Sequence, residues 1–411
     1  MRPKLLGLAL LAAIAPASPA AAQERSGTVP LVRMQDGHES DLLFRVHPRT
    51  LRRIGRPIRT FRSGAGLAMS PDGRTLASSD GPRGRSRIQF VDLVRWRQLA
   101  VTGFGRRGPL WVGWASDDRL VAISGGGGFG GQRLMVIDAA SGRVVARHAF
   151  SGWTMNSLAV PGGFALALAP LKGIGPLRIL LIDPAGGLRT VKLEGIPAGG
   201  DDGEPAGQIL TPALTADPEG GRLYAVSARG LLVANVELAT GAVSYHTLGA
   251  NASKGNIDVW WREAAWAGDG RIAVTGEHWP AARGRRPPRA PVAWGLRIID
   301  TRDWSIDTLD ARTTVMHVAG GTVLAYGTRW FARRRSPEST GLLAFDRDGH
   351  RRFTRFRGRQ VVGAGSRGSL TYVWVRRERT LHVIDLRGGR TVNRVHTGRR
   401  APFLLTQSAV P

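Results

Sequence analysis

One short phrase recurs seven times along this chain of 411 residues: four or five apolar residues, then an acidic residue, then a short turn. Three of the copies read IQFVD (88–92), LMVID (134–138) and LHVID (381–385). The acidic residues that close the copies are Asp92, Asp138, Asp183, Glu237, Asp300, Asp346 and Asp385. They follow one another at intervals of 39 to 63 residues. A period of this size indicates an array of similar structural units rather than one irregular domain.

A different hairpin pattern precedes each phrase. Apolar, β-forming residues stand on both sides of a polar Asp/Gly turn, as in 67–77, 111–123 and 264–274. This pattern predicts a β-hairpin, and the phrase with its turn predicts a second one. Each unit therefore holds four strands, A to D, which is the repeat of a β-propeller blade. No window of 12 residues shows sustained helical periodicity, so the fold class is all-β.

Two motifs resemble known propeller repeats. The segment Ser70-Pro-Asp-Gly-Arg-Thr-Leu-Ala77 resembles the inner-strand turn of WD-repeat and TolB-like propellers. The strand-Asp-x-x-x-Gly unit, as in Asp138 to Gly142, resembles the YVTN-type propellers of bacteria. The resemblance extends over nearly the whole mature chain and implies four-stranded blades. It implies no particular function, because propellers support many unrelated chemistries.

The hairpin count predicts how the ring closes. Seven first hairpins and eight second hairpins are present if residues 42–59 form the extra one. We expect a single propeller domain over 23–411 with eight blades, and seven blades is the alternative. In the last blade, N-terminal strands within 28–61 would pair with a C-terminal strand within 399–408. Such closure leaves no open sheet edge at the ends of the array.

The N-terminus predicts export. Arg2 and Lys4 precede an apolar run over 5–14, and three alanines end at Ala22. This pattern is typical of a secretory signal peptide over 1–22, cleaved after Ala22. We therefore expect a secreted or periplasmic protein without a transmembrane segment in the mature chain, and we expect it to be a monomer. The absence of cysteine excludes disulfides, cysteine-ligated metal sites and a thiol nucleophile.

The charge of the chain has two interpretations. Its 58 basic residues exceed its 31 acidic residues, which gives a formal net charge of +27. Almost all the basic residues are arginine, as expected from codon usage in a GC-rich bacterial genome. Selection for an anionic partner is the other interpretation.

Loop lengths predict which face of the propeller binds a ligand. The long connections all join D to A or B to C, which places them on one face: 193–208, 249–263, 277–295 and 328–341. The A–B turns are short throughout. Insertions on one face of a repeat protein usually mark its binding face, although unselected insertions would give the same pattern.

The residues of these connections are candidate ligand contacts. Together with Trp153, which we expect in a further D–A connection, they combine flat aromatic side chains with arginine: Trp260, Trp261, His278, Trp279, Arg283, Arg285, Arg286, Trp330, Arg333, Arg334 and Arg335. Tryptophan offers an apolar plate and arginine offers bidentate donors to anionic oxygens. The alternative is that the tryptophans pack loop bases and the arginines are simply solvated. We expect an envelope polymer or a secreted protein as partner and no specific recognition of nucleic acid.

Evidence for catalysis or cofactors in the sequence is weak. Asp201, Asp202 and Glu204 are a weak candidate calcium site, because hard cations prefer several oxygen ligands, but an ordinary solvated loop or a counter-charge for the arginines of this face is the favoured interpretation. No nucleophile elbow, phosphate loop or dinucleotide motif occurs. The repeat is also similar to that of quinoprotein dehydrogenases, but it lacks the tryptophan after the turn glycine and the paired cysteines. We therefore expect a non-enzymatic binding or scaffold protein without a cofactor.

An enzyme is the alternative. A metal-assisted lyase or lactone hydrolase would carry its site over the central channel and use Asp, Glu or His as ligands. His278 and His317 are the histidines that we expect nearest to that channel, although a structural role explains them as well.

Overall fold

The computed structural model describes residues 29–33, 40–61, 66–79, 87–104, 109–124, 131–200, 209–248, 261–278, 292–327, 340–397 and 403–404. These residues form 33 β-strands and no helix, so none of the described segments is a helix that could cross a membrane. Residues 1–22 lie outside the described part of the chain, and the signal peptide therefore stays a prediction.

The first three strands belong to the blade that closes the ring, blade 8. They are β1 (Val29–Arg33), β2 (Ser40–Val46) and β3 (Arg53–Phe61). Blades 1 and 2 follow in the chain. They comprise β4 (Leu67–Met69), β5 (Thr75–Ser79), β6 (Arg87–Asp92), β7 (Arg97–Gly103), β8 (Pro109–Trp114), β9 (Arg119–Ser124), β10 (Gln132–Asp138) and β11 (Val144–Phe150).

Blades 3, 4 and 5 occupy the middle of the chain. Blades 3 and 4 comprise β12 (Trp153–Val160), β13 (Gly163–Ala169), β14 (Ile174–Ile182), β15 (Leu188–Gly199), β16 (Ala213–Asp217), β17 (Arg222–Val226), β18 (Leu232–Glu237) and β19 (Val243–Thr247). Blade 5 comprises β20 (Trp261–Gly268), β21 (Arg271–His278), β22 (Val292–Ala293), β23 (Leu296–Asp300) and β24 (Ile306–Asp310).

Blades 6 and 7 complete the array. They comprise β25 (Val315–Ala319), β26 (Thr322–Tyr326), β27 (Leu342–Phe345), β28 (Arg351–Arg355), β29 (Val361–Arg367), β30 (Leu370–Val375), β31 (Thr380–Asp385) and β32 (Thr391–His396). The last strand, β33 (Phe403–Leu404), returns to blade 8.

The strand order confirms eight blades rather than seven. Each sheet runs A-B-C-D with antiparallel neighbours, and blade 5 alone adds a short fifth strand, β22, which pairs with β21. In blade 8 the order is β3-β2-β1-β33, so strand A comes from the C-terminus and strands B, C and D from the N-terminus. Leu31 and Val32 of β1 pair with Leu404 and Phe403. The predicted closure is therefore confirmed.

The core lies between blades rather than within them. On β13, Ala165 and Ala167 pack with blade 4, while Leu166 and Leu168 pack with blade 2. Both faces of a middle strand are thus buried, which is why the repeated phrase reads as an unbroken apolar run instead of alternating with polar residues. Burial of each such leucine contributes about 1.5–3 kcal/mol relative to exposure.

The Asp-x-x-x-Gly turn between strands C and D caps itself as the sequence predicted. Asp138 Oδ1 accepts the backbone N–H of Ser141 at 2.8 Å, and Gly142 N donates to Asp138 O at 2.8 Å. Gly142 has φ +71°, and a Cβ at this position would lie 2.8 Å from Thr102 Oγ1 in blade 1. Glycine is therefore required both by the turn and by the approach of the neighbouring blade.

A contact between the D strand of one blade and the C–D turn of the next recurs at all eight seams. At three of them, Thr102 Oγ1 donates to Gly142 O (2.7 Å), Trp96 Nε1 donates to Arg56 O (2.8 Å), and His148 Nε2 lies 2.7 Å from Gly186 O. The remaining five are Arg189 with Leu238 and Ala239, His246 with Trp304, Leu309 with Gly349, Arg355 with Gly389, and Asn393 with Thr50. The blades are thus joined near their outer edges as well as through the core.

Candidate ligand-binding face

Three of the predicted contact residues lie at strand ends on the face of the D–A and B–C connections, which we call the loop face. Trp153 begins β12, Trp261 begins β20, and the backbone of His278 ends β21. The others lie outside the described residues: Trp260, Trp279, Arg283, Arg285, Arg286, Trp330, Arg333, Arg334 and Arg335. The candidate calcium ligands Asp201, Asp202 and Glu204 also lie outside them, so both sets remain predictions.

The expectation that Trp153 and Trp261 lie in loops was wrong. Trp153 pairs with Ala169 and is partly buried against the core between blades 3 and 4. Trp261 pairs with Glu277 and is only 7% exposed. Strand pairing extends further toward the loop face than the turn residues suggested, because both tryptophans gain more from packing than from solvent.

The connection expected to begin at residue 193 is also shorter than predicted. β15 continues to Gly199 and pairs with β14 along its length, with a register shift between Pro176 and Leu177. Leu193, Ile196 and Ala198 are all buried in the core between blades 3 and 4. Their burial explains why the strand passes beyond the charged stretch that precedes it.

Two buried arginines, which the sequence reasoning missed, lie at the loop-face end of blade 5. Arg262 is fully buried, and its guanidinium carbon lies 4.1 Å from the ring centroid of Trp294. Arg297 is 5% exposed, and its guanidinium carbon lies 3.9 Å from the same ring. We call Arg262, Trp294 and Arg297 the arginine–tryptophan stack. Cation–π contacts of this kind are strongest where water is excluded.

Hydrogen bonds orient the stack toward blade 4. Arg262 Nη2 donates to the carbonyl of Gly230, in the B–C connection of blade 4, at 3.3 Å, and Arg297 Nη2 donates to Trp294 O at 3.4 Å. Burial lowers the pKa of Arg297, but an arginine remains charged at any physiological pH. The indole Nε1 of Trp294 is buried and has no hydrogen-bond partner among the described residues. The stack therefore places a donor and two cationic groups just below the loop face.

The opposite side of blade 5 is acidic. Glu277 is 1% exposed, and its Oε1 accepts the hydroxyl of Thr314, which precedes the first strand of blade 6, at 2.8 Å. Glu263 stands in register with Thr275 on the neighbouring strand. Blade 5 thus presents buried cations toward blade 4 and a buried carboxylate toward blade 6, at the end from which its longest connections leave.

The sequence contained a signal for part of this arrangement. In the copy LRIID (296–300), Arg297 takes the second position of the repeated phrase, where most copies carry an apolar residue. Gln89 and His382 take the same position in their copies, and all three side chains are buried. A polar residue inside an otherwise apolar repeat position therefore indicated a buried polar contact.

His317 has a structural environment. It lies on β25, is 7% exposed and stands opposite Leu324 on β26. Burial lowers the pKa of His317 to about 4, so the imidazole is neutral at physiological pH. The structural interpretation of this histidine therefore fits its surroundings.

Among the described residues, one group of three side chains has metal-binding composition, and it is not on the loop face. Asp346, Asp348 and His350 belong to the C–D turn of blade 6. Asp346 Oδ1 accepts the backbone N–H groups of Asp348 and His350, at 3.0 and 2.9 Å. Asp348 also pairs with Arg271. These contacts are those of a self-capped turn with an ion pair between blades.

The closed ring of eight four-stranded antiparallel sheets makes this chain a β-propeller protein, as the WD-repeat-like, TolB-like and YVTN-like motifs implied. Two solved structures share the fold. Dihydro-heme d1 dehydrogenase NirN in complex with DHE is 14% identical with a TM-score of 0.56, over 91% of this chain and 75% of that chain. Sqt1 of Saccharomyces cerevisiae is 10% identical with a TM-score of 0.50, over 79% of this chain and 83% of that chain.

A third propeller, BamB from Moraxella catarrhalis, is 13% identical with a TM-score of 0.39 over 89% of this chain and 87% of that chain. No family model and no curated protein sequence matches the chain. At these identities the likeness concerns the fold alone, so the function has to be argued from the residues.

Proposed function

We propose that this protein is a secreted, non-enzymatic binding or scaffold propeller. Its loop face would hold an anionic partner, either an envelope polymer or an acidic segment of a secreted protein. The arginine–tryptophan stack is the observation that carries the proposal. Two cationic side chains are buried where a propeller seam normally holds apolar residues, and they lie at the end of the blade with the longest connections.

Charge in this position acts on an anionic partner more strongly than charge on an open surface. Water screens exposed charges, whereas a guanidinium held against an indole in a low-dielectric seam keeps much of its field. His278 pairs with Val292, so the connection that carries Arg283, Arg285 and Arg286 leaves and re-enters blade 5 at this same end. The buried cations and the predicted arginines would therefore act on one partner.

The contacts of the buried groups support the non-enzymatic part of the proposal. Arg262 donates to a carbonyl, Glu277 accepts from a hydroxyl, and both arginines lie against an aromatic ring. Such contacts hold charge in place and supply no described nucleophile–base pair. The metal-assisted lyase or lactone hydrolase stays a prediction, since the one candidate ligand group among the described residues is a C–D turn on the other face.

The test replaces the six predicted loop arginines by serine: Arg283, Arg285, Arg286, Arg333, Arg334 and Arg335. The matched control replaces six exposed arginines of the opposite face: Arg95, Arg97, Arg143, Arg302, Arg347 and Arg351. Retention of each full-length protein on cell-envelope fractions is measured at low and high salt. We expect the loop variant to lose salt-sensitive retention and the control to keep it, although both lose the same formal charge. Equal retention of the loop variant and the wild type would contradict the proposal.

A further inference from the structure

A second basic region lies in blade 8, and it is visible first in the sequence. Between Asp41 and Asp72 the chain has no acidic residue. The same stretch contains seven arginines: Arg45, Arg49, Arg52, Arg53, Arg56, Arg59 and Arg62. Residues 41–61 of this stretch lie in the outer hairpin of blade 8, which consists of β2, the C–D turn and β3.

Most of these arginines are exposed along the outer edge of blade 8. Five of the blade 8 arginines have exposed side chains, and the C–D turn of blade 7 adds two more across the seam. We call this set the basic seam: Arg49, Arg52, Arg53, Arg56, Arg59, Arg387 and Arg390. Between the two blades lies a recess of about 240 Å³ lined by Arg49, Ser369, Leu370, Asp385, Arg387, Arg390 and Val392. Asp385 is the one acidic residue of this lining, and its Oδ1 accepts the backbone N–H of Arg387 at 3.1 Å.

The basic seam has no carboxylate partners of its own. At other C–D turns, three exposed arginines pair with carboxylates: Arg95 with Asp92, Arg302 with Asp300, and Arg347 with Asp269. Within the described part of the chain, none of the seven seam arginines lies within 4.0 Å of a carboxylate oxygen. Codon usage would raise the arginine content everywhere but would not exclude acidic residues from the whole stretch between Asp41 and Asp72. The local excess of positive charge therefore indicates an external anion.

The edge of β3 argues against an added peptide strand as that anion. Pro57 lacks a backbone N–H, Gly55 has φ +72°, and the register shifts between Leu43 and Arg45. Such interruptions prevent an exposed edge strand from pairing with another chain. Recognition along this edge must therefore depend on side-chain charge rather than on main-chain hydrogen bonds.

The spacing of the arginines suits a flexible polyanion. Arg53 and Arg59 stand opposite Val46 and Leu42, so they lie about 13 Å apart along the sheet, at roughly 3.3 Å per residue of β2, with Arg56 between them in the chain. The guanidinium of Arg53 lies over the ring of Phe44 at 4.1 Å, which restrains its orientation. A planar guanidinium binds two oxygens of one phosphate at once, and a chain of phosphates can follow such a row without adopting a strand.

We propose that the basic seam binds a flexible polymer whose anionic groups are phosphates, running from the recess at Arg49 along β3. The seam lies at the C–D turns, on the face opposite the long connections. This site is therefore independent of the binding face proposed above, and either one can exist without the other.

The test measures binding of linear inorganic polyphosphate to the full-length protein over a series of salt concentrations. The seam variant replaces Arg49, Arg53, Arg56, Arg59, Arg387 and Arg390 by serine. The control is the variant already used in the test of the loop face, in which Arg95, Arg97, Arg143, Arg302, Arg347 and Arg351 are replaced by serine. We expect the seam variant to lose at least tenfold in affinity at low salt. The slope of log Kd against log salt should fall by about 4, at roughly 0.7 per lost phosphate contact. The control variant should keep most of the affinity and most of the slope.

Two further comparisons decide whether the site recognises phosphate, acidic protein or net charge alone. Polyglutamate of matched charge should bind more weakly and depend less on the seam; equal binding with equal dependence on the seam would assign the site to acidic protein and overturn the proposal. Equal losses in the seam and control variants would show an effect of net charge alone and would also overturn it.

Lysine replacements at the same six positions keep the charge and remove the bidentate geometry, so an intermediate affinity is expected. In the background of the loop-face variant, the seam replacements should reduce the affinity for polyphosphate by the same factor as in the wild type, because the two sites act independently.

Discussion

The side-chain amide of Asn393 donates a hydrogen bond of 2.8 Å to the backbone carbonyl of Thr50, a residue 343 positions earlier in the chain. It joins the outer strand of blade 7 to the C–D turn of blade 8, which is the blade built from both ends of the sequence. The same relationship joins Thr102 to Gly142 and His148 to Gly186 at seams between blades that are consecutive in the chain. The closing seam therefore uses the same outer contact as the others, in addition to the short strand β33.

The glycine of a C–D turn should be more sensitive to substitution than a glycine of an A–B turn. Gly142 and Gly162 have similar positive φ values, +71° and +75°, but a Cβ at Gly142 meets Thr102 and Ala100, whereas a Cβ at Gly162 meets nothing within 4 Å. We expect Gly142→Ala to lower the free energy of unfolding by about 2–4 kcal/mol, from backbone strain plus overpacking, and Gly162→Ala by about 1 kcal/mol. Denaturant unfolding measures the loss for each variant. Equal losses would show that the close approach of blade 1 to Gly142 adds nothing to the effect of the substitution on stability.

Removal of the closing strand should destabilise the ring. A chain that ends at Arg400 loses β33 and its pairing with Leu31 and Val32. We expect the free energy of unfolding to fall by about 2 kcal/mol, from roughly two backbone hydrogen bonds at about 1 kcal/mol each, and the bare edge of β1 to promote aggregation on heating. A chain that ends at Thr406 keeps β33 and serves as the control. Identical thermal unfolding and light scattering for the two truncations would count against the closure strand.

The buried guanidinium of Arg262 should matter for stability far more than an exposed one. Arg262→Ala removes a fully buried side chain that packs on Trp294 and donates to Gly230. We expect a loss of about 3–5 kcal/mol, as for other large buried side chains cut back to alanine. The side chain of Arg302 is 66% exposed in its pair with Asp300, so Arg302→Ala should cost far less than Arg262→Ala. A small loss at Arg262, measured by denaturant unfolding, would mean that the stack is not held by the fold.

His317 should make stability fall as the solution is acidified. Burial lowers its pKa to about 4 from the ordinary value of 6.5, so between these values the unfolded chain binds a proton that the folded chain does not. The free energy of unfolding is therefore highest above pH 6.5 as far as His317 is concerned. It falls by about 3 kcal/mol as the pH is lowered toward 4, for a pKa shift of this size. His317→Asn should remove this part of the pH dependence. A His317→Asn curve that falls between pH 6.5 and 4 as steeply as that of the wild type would contradict this assignment.

Local patterns in the sequence predicted the architecture of this protein correctly. The apolar phrase followed by an acidic residue predicted the buried strand C, because a strand that packs on both faces must be apolar throughout. The Asp-x-x-x-Gly motif predicted the turn after it, because a carboxylate accepts the free N–H groups and glycine adopts positive φ. The extra N-terminal hairpin and the C-terminal strand predicted eight blades and their closure.

Strand ends were predicted less well, because their positions depend on contacts with neighbouring strands. Trp153, Trp261 and Leu193 were assigned to connections from the turn residues around them, yet all three belong to strands. Pairing with Ala169, Glu277 and Leu177 respectively decides this, and those partners are not adjacent in sequence.

The sequence by itself determined the repeat and its four-stranded unit, since each depends on residues within two consecutive hairpins, and it favoured eight units over seven. Only the tertiary structure decided which polar residues are buried and which charges are matched. Arg262 and Arg297 meet on Trp294 because β20 and β23 lie on the two sides of β21 in blade 5, and Arg49 lies near Arg387 and Arg390 because ring closure places blade 8 beside blade 7. Such contacts depend on how strands and blades are placed against each other in space, a relationship that spacing along the chain does not encode.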